Sequence, residues 1–245
     1  MKNYKITVQY DGTRYNGWQR QGNTQNTIQE RFENVLSKMC GEAIEVFASG
    51  RTDAGVHAEA QVANFKCDTE LSVEEIKEYL NQYLPQDILV TSIAEVHERF
   101  HSRLNAVSKT YEYKIATRKP DVFIRKFVYF VDDVPDIEEM RLAAKQIVGT
   151  HDFKGFSSVG RTKKSTVRTI NYIEIFEEDG IITIRINGSG FLYNMVRIIS
   201  GTLYEIGTGK LDETIIPEIF ETKSREVAGA TLPACGLKLI EVFYQ

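Results

Sequence analysis

The chain has 245 residues, of which 42% are hydrophobic and 26% charged, and its formal net charge is -4. This composition predicts a globular protein with one large core or two modest ones. No apolar run approaches the ~18 residues of a membrane-spanning helix, and the N-terminal sequence lacks the apolar region of a signal peptide, so we expect a cytoplasmic protein without a membrane segment.

The first half of the chain predicts alternating strands and helices. Two helix starts are marked by capping boxes, Thr27 with Glu30 and Ser72 with Glu75. The resulting β-α-β-β-α-β order is typical of a ferredoxin-like domain. The predicted elements are a strand at 5–10, a helix at 27–39, strands at 44–48 and 58–67, a helix at 72–84 and a strand at 88–96.

The second half is less regular but similar in kind. We therefore expect an α+β protein of two ferredoxin-like, RNA-binding-like halves with mainly antiparallel sheets, residues 1–103 and 104–245. The predicted elements here are strands at 107–117, 127–131, 167–176, 181–186 and 237–244 and helices at 136–148, 191–206 and 212–220.

The most informative segment is residues 50–58, G-R-T-D-A-G-V-H-A, which joins two predicted strands. Arg51 lies two residues before Asp53, and a nearby positive charge favours the ionised carboxylate. Gly55 permits a positive φ in the turn. A short loop that aims one carboxylate from a rigid scaffold is typical of a nucleophile or base. The residues alone leave a purely structural Asx-turn open as the alternative.

This loop resembles the signature of the tRNA pseudouridine synthase A family. Further segments resemble the family in the same order along nearly the whole chain. Two positions depart from its pattern: Lys238 stands where an aromatic residue is usual, and Ala60 where a glycine is common. The further segments are residues 10–21 (Y-D-G-T-R-Y-N-G-W-Q-R-Q), 100–103 (F-H-S-R), 108–113 (S-K-T-Y-E-Y), 188–197 (G-S-G-F-L-Y-N-M-V-R) and 236–239 (G-L-K-L).

The resemblance implies an isomerase that converts uridine to pseudouridine in tRNA, on the 3′ side of the anticodon stem-loop at tRNA positions 38 to 40. It implies that the two halves of the chain join around a central cleft and that the protein is a homodimer in which one tRNA touches both subunits. We expect no cofactor. Asp53 would be the nucleophile on a flipped-out uridine, Arg197 its ionic partner, and Tyr111 and Leu237 part of the uridine pocket. His57, next to the loop, suits a phosphate or sugar contact.

The residue patterns also permit structural explanations for two of these side chains. Tyr111 shares a strand face with Val107 and Tyr113, so it could be a half-buried core aromatic. Arg197 could be an ordinary surface arginine. In the functional interpretation, the Tyr111 ring stacks on the extruded uracil. This stacking contributes roughly 1–3 kcal/mol, which offsets part of the free energy that the base loses when it leaves the RNA stack.

The chemistry of the carboxylate also stays open at this stage. Asp53 could attack ribose C1′, add to C6 of the ring, or support elimination to a glycal. A noncatalytic tRNA-binding or folding factor and an N-glycosidase remain as alternative functions.

The net negative charge by itself argues against a nucleic-acid partner, but the charges are segregated along the chain. Residues 97–126 contain eight Lys or Arg against three Asp or Glu, and residues 161–168 contain four basic residues and no acidic one. We expect a basic face that binds tRNA. The candidate RNA contacts are Arg14, Arg20, Arg103, Lys109, Arg161, Lys163, Lys164 and Arg168.

Motifs for a nucleotide cofactor or a metal fail on inspection. The segment 207–210, G-T-G-K, lacks the first glycine and the Ser or Thr of a phosphate-binding loop. His97 and His101 have i,i+4 spacing but no nearby acidic cluster. We therefore expect neither a nucleotide cofactor nor a metal.

Overall fold

The structure is a computed structural model that describes residues 1–160 and 162–245. These residues form two compact units, Met1–Val107 with Lys238–Gln245, and Ser108–Leu237. Most strand pairs are antiparallel and helices pack beside them, which confirms the predicted mixed α+β class. No helix in the described part of the chain is long and apolar enough to cross a membrane.

The elements follow the predicted order closely. They are β1 (Lys2–Tyr10), α1 (Ile28–Cys40), β2 (Val46–Ala48), β3 (His57–Cys67), α2 (Val73–Tyr83), β4 (Ile88–Val96), β5 (Ala106–Ala116), β6 (Tyr129–Phe130), α3 (Ile137–Lys145), β7 (Gly149–Asp152), β8 (Val167–Glu178), β9 (Ile181–Gly188), α4 (Met195–Gly207), α5 (Ile215–Thr222) and β10 (Leu237–Tyr244).

In the first unit the strands are ordered β4-β1-β3, and β3 has two neighbours along its other edge. β2 pairs antiparallel with the C-terminal end of β3, where Val46 lies opposite Phe65. β10 pairs in parallel with the N-terminal end, where Lys238 lies opposite His57. The last strand of the chain therefore borders the residues that immediately follow the Asp53 loop.

The helices of this unit form because their caps and apolar faces agree. The Thr27 side chain accepts a hydrogen bond from the Glu30 amide, and Ser72 with Glu75 forms a complete capping box. On α1, Ile28, Phe32 and Leu36 recur at helical spacing and are fully buried. The first residue of this packed helix, Ile28, donates its amide to the Gly17 carbonyl, next to Trp18, whose amide bonds to Thr52 in the loop of residues 50–58.

In the second unit the strands are ordered β5-β9-β8-β7, with β6 parallel to β5. α3 packs on α4 and on β8. The core is built from β9 isoleucines and the inner face of α4, because Ile184, Ile186, Ile198, Ile199 and Leu203 have no exposed surface. α4 is thus held firmly along its length.

Several element ends differ from the predicted bounds by up to three residues, and two elements differ more. α4 begins at Met195, not at residue 191. Its N-cap, Asn194, adopts the left-handed conformation with φ 61°, which a right-handed helix cannot include, so the helix starts only after this residue. β7 was not predicted. It forms only because Gly149–Asp152 pairs with β8, where Gly149 lies opposite Ile170.

Candidate active site

Asp53 lies half-buried in a tight turn between β2 and β3. The Val56 amide donates a hydrogen bond of 3.1 Å to the Asp53 carbonyl oxygen, and Gly55 has φ 80°. The predicted glycine turn is therefore present, and it uses the backbone of Asp53.

A second segment, residues 10–18, packs directly on this turn. The Trp18 amide donates to the Thr52 carbonyl at 3.0 Å, and the Gly55 amide donates to the Tyr15 carbonyl at 3.3 Å. The Tyr10 hydroxyl and Thr52 Oγ1 are 2.8 Å apart. Burial raises the pKa of Tyr10 far above its usual range, so its hydroxyl keeps its proton. Three contacts thus fix the residues on both sides of Asp53.

Two glycines make this close approach possible. A Cβ on Gly12 would lie 2.0 Å from the Val56 carbonyl oxygen, and one on Gly17 would lie 2.6 Å from that of Thr52. Gly17 also has φ 89°. Side chains at these positions would push the two segments apart. We call residues 10–18 the clamp of the Asp53 loop.

His57 is buried, with 2% of its surface exposed, at the end of the same loop. Its Nδ1 accepts a 3.0 Å hydrogen bond from the Gly12 amide. The same nitrogen lies 3.2 Å from Asp11 Oδ1. His57 therefore joins the clamp to the start of β3.

Arg51 is exposed, and its Nε donates to Gln19 Oε1 at 3.0 Å. Gln19 in turn donates to Gln29 on α1 at 2.8 Å. This chain of contacts positions the Arg51 stem on the side of the loop that faces α1.

In the second unit, the Arg197 guanidinium is held in a defined orientation on α4. Its Nε donates to the Leu232 carbonyl at 2.6 Å and its Nη1 to Asn194 Oδ1 at 2.9 Å. A Cβ on Gly201 would lie 1.9 Å from the Ala230 carbonyl oxygen, so only glycine lets the segment before β10 approach α4 this closely. Arg197 is thus half-buried and anchored, not a loose surface arginine.

Tyr111 and Leu237 are both mostly buried in the second unit, with 7% and 6% of their surfaces exposed. The Tyr111 ring makes an edge-to-face contact with Phe191 at a centroid distance of 5.1 Å. Sequence reasoning did not single out Phe191. The available signal was its place in the segment 188–197, directly after Gly190.

Lys238, one of the two departures from the family pattern, forms an ion pair with Glu59. Its Nζ lies 2.6 Å from Glu59 Oε1 across the parallel pairing of β10 and β3. The lysine is therefore accommodated by a carboxylate on the neighbouring strand. The Glu59 side chain is half exposed, so solvent screens this ion pair.

The predicted RNA contacts fall into different environments. Arg14 pairs with Asp87 at 2.5 Å and Arg20 with Glu33 at 3.3 Å. Lys109 and Arg168 are half-buried, whereas Arg103, Lys163 and Lys164 are exposed. Arg161 lies outside the described residues. Within the described ranges, no group of three His, Cys, Asp or Glu side chains could hold a metal ion.

Comparison with known proteins identifies the family. The sequence profile of tRNA pseudouridine synthase matches residues 6–105 and 143–245. Asp53, Arg197 and Leu237 lie within the matched segments, and Tyr111 lies between them.

Full-length relatives agree with the profile. A tRNA pseudouridine synthase A 2 of Bacillus cereus is 49% identical over 99% of both chains. A tRNA pseudouridine synthase A of Bacillus sp. is 50% identical over 98% of both chains. A tRNA pseudouridine synthase A 1 of Clostridium tetani is 46% identical over 100% of both chains.

Among solved structures, a chain of an H/ACA RNP bound to a substrate RNA containing 2′-deoxyuridine is similar, with a TM-score of 0.41 and 12% identity. The match covers 96% of this chain and 47% of that chain, and the likeness is too low to support an inference. The profile and the relatives are decisive: the chain belongs to the tRNA pseudouridine synthase family, whose members isomerise uridine to pseudouridine in tRNA.

Proposed function

We propose that Asp53 is the nucleophile that isomerises a uridine on the 3′ side of the tRNA anticodon stem-loop, at positions 38 to 40. The observation that carries this proposal is the clamp, because three hydrogen bonds and two glycine contacts fix the backbone on both sides of one carboxylate. A catalytic group must be held to within a fraction of an ångström, and a surface Asx-turn needs no such support.

The isomerisation breaks the bond between N1 of uracil and C1′ of ribose and forms a bond between C5 and C1′. The proton on C5 leaves and N1 gains one, so no atom or electron is lost overall. The detached base must stay in place while it turns. We propose that Tyr111 and Leu237 line its pocket, since both are held rigidly and present apolar surface.

We propose that the two units bring Arg197 beside Asp53 around a central cleft. The anchoring of its guanidinium by Leu232 and Asn194 supports this role, since a pre-oriented cation stabilises a carboxylate without further ordering. Arg51 supplies a second positive charge near the loop. We assign His57 to the same site through its bond to Gly12, which holds the loop.

Three routes use this carboxylate: attack at C1′, addition to C6, and elimination to a glycal. Only the glycal route breaks the covalent bond between C2′ and its hydrogen atom. A kinetic isotope effect with uridine deuterated at C2′ therefore separates that route from the other two.

The decisive experiment is tritium release from tRNA labelled at C5 of uridine. Asp53→Asn keeps the size and shape of the side chain but removes the nucleophile, so we expect tRNA binding within about threefold of wild type and no detectable tritium release. Asp68→Asn, an exposed residue just beyond the far end of β3, is the matched control and should release tritium at the wild-type rate.

Three outcomes would contradict the proposal in different ways. Wild-type release by Asp53→Asn would remove Asp53 from the chemistry. Absence of release by the wild-type protein would favour a noncatalytic tRNA-binding factor. Free uracil with an abasic ribose would indicate an N-glycosidase.

We propose tRNA contacts at Arg14, Arg20, Arg103, Lys109, Arg161, Lys163, Lys164 and Arg168, and a homodimer in which one tRNA touches both subunits. The relatives are bacterial, so the cytoplasm is the proposed location. Sedimentation equilibrium tests the dimer, and a monomer mass at micromolar concentration would contradict it.

A further inference from the structure

Residues 118–126 form an exposed projection between β5 and β6, which we call the basic tip. Three consecutive apolar side chains face solvent there: Val122 is 62% exposed, Phe123 83% and Ile124 36%. Single exposed apolar residues are common on protein surfaces, but a consecutive run of three points to a contact surface.

The basic tip is ordered by its own hydrogen bonds. Asp121 Oδ1 accepts from the Phe123 amide at 2.7 Å and from the Ile124 amide at 3.2 Å. The Arg125 amide donates to the Asp121 carbonyl at 3.0 Å, which closes one helical turn. The apolar side chains are therefore presented on a preformed turn, and binding through them costs little ordering.

Four exposed cations flank this apolar run in the sequence: Arg118, Lys119, Arg125 and Lys126. In the part of the chain that the structure describes, none of them lies within ion-pair distance of a carboxylate. The one acidic residue among them, Asp121, already caps the turn. This differs from Arg14 and Arg20, whose charges are matched by Asp87 and Glu33.

We propose that the basic tip binds tRNA, with Phe123 stacked on an unpaired base and the four cations against phosphates. Aromatic rings interleaved with unmatched Lys and Arg are the chemistry that single-stranded RNA requires. The inference rests on the proposed function for the identity of the RNA. The tip lies between the two segments that match the family profile, residues 6–105 and 143–245.

Both the charge and the position of the tip favour RNA over a second copy of this chain. A two-fold contact between tips would bring four cations against four cations. The six residue-to-residue steps from Tyr111, on β5, to Thr117, just after it, span about 20 Å at 3.3 Å per step. The tip would therefore contact nucleotides other than the one that Tyr111 is proposed to hold.

The first test is tRNA binding by Phe123→Ala. Stacking of one base is worth roughly 1–3 kcal/mol, so we expect binding to weaken by roughly 5- to 150-fold, with the rate at saturating tRNA unchanged. Tyr83→Ala, which removes a ring that is 56% exposed on α2, is the matched control and should bind like wild type. Equal binding by Phe123→Ala and wild type would overturn the proposal.

A second test reports stacking directly. The chain has one tryptophan, Trp18, which is buried with 2% of its surface exposed. Phe123→Trp therefore adds an exposed fluorophore, and tRNA should quench the added emission. Emission that tRNA leaves unchanged would overturn the stacking contact.

The charges are tested by the salt dependence of binding. The double variant Arg125→Ala with Lys126→Ala should lower the slope of log K against log salt by about 1.4 to 1.8, the contribution of two phosphate contacts. An unchanged slope would overturn the phosphate contacts.

Two further results separate the possible failures. Loss of the wild-type oligomeric mass in Phe123→Ala without tRNA would assign the tip to self-association and overturn the proposal. A wild-type protein that binds tRNA through the tip but forms no pseudouridine would refute the proposed function and leave the tip assignment standing.

Discussion

Gly12→Ala should disturb the contact between the clamp and the Asp53 loop by an amount that the structure sets. The new Cβ would lie 2.0 Å from the Val56 carbonyl oxygen, whereas real Cβ atoms essentially never approach closer than 3.0 Å. The clamp and the Asp53 loop must therefore separate by about 1 Å. The neighbouring atoms are backbone, so no side-chain rotation can relieve the contact.

A separation of this size has two expected consequences. The 3.0 Å bond from the Gly12 amide to His57 would be lost, which costs about 1–3 kcal/mol because its partner is buried. Displacement of a catalytic group by about 1 Å can lower the rate about 100-fold. Binding of tRNA should change little, since Arg14 is the one proposed tRNA contact within the clamp.

The assay is single-turnover tritium release with saturating tRNA, alongside thermal unfolding to confirm that the variant folds. Gly22→Ala is the matched control, because a Cβ there would meet nothing within 4 Å. A folded Gly12→Ala protein that releases tritium at the wild-type rate would show that the clamp does not position Asp53.

Two further predictions concern other parts of the structure. Gly201→Ala would place a Cβ 1.9 Å from the Ala230 carbonyl oxygen, which would displace the segment that carries the Leu232 carbonyl and loosen Arg197. The single-turnover rate should therefore fall by roughly 10- to 100-fold with tRNA binding retained. An unchanged rate would argue against the role of Arg197. Burial raises the pKa of the Cys67 thiol to about 12, so at pH 8 the thiol stays protonated. It should therefore react with iodoacetamide only after the protein unfolds. Rapid labelling of Cys67 in the folded protein would refute this prediction.

The element order could be predicted because local signals agree with the final packing. On α1, the caps and the spacing of Ile28, Phe32 and Leu36 all indicate the same helix. β7 could not be predicted, because G-T-H-D has no apolar alternation and its pairing partner begins 15 residues after its last residue. Long-range pairing, not local preference, creates that strand.

The site was predictable as a set of motifs but not as an assembly. Asp53 could be selected from its loop, yet nothing in residues 50–58 indicates that Gly12 and Gly17 pack against that loop. Those contacts are made through backbone atoms, which every residue possesses, so the sequence records them only as glycines. In the same way, the charge of Arg14 is matched by Asp87, which lies 73 residues away in the sequence.

The measurement that tests the central claim most directly is mapping of pseudouridine in unmodified tRNA transcripts treated with wild-type or Asp53→Asn protein. We predict that the wild-type protein places pseudouridine on the 3′ side of the anticodon stem-loop and that Asp53→Asn places none anywhere. Pseudouridine at the same positions with both proteins would contradict the assignment of Asp53 as nucleophile, and modification confined to another arm of the tRNA would contradict the proposed substrate site.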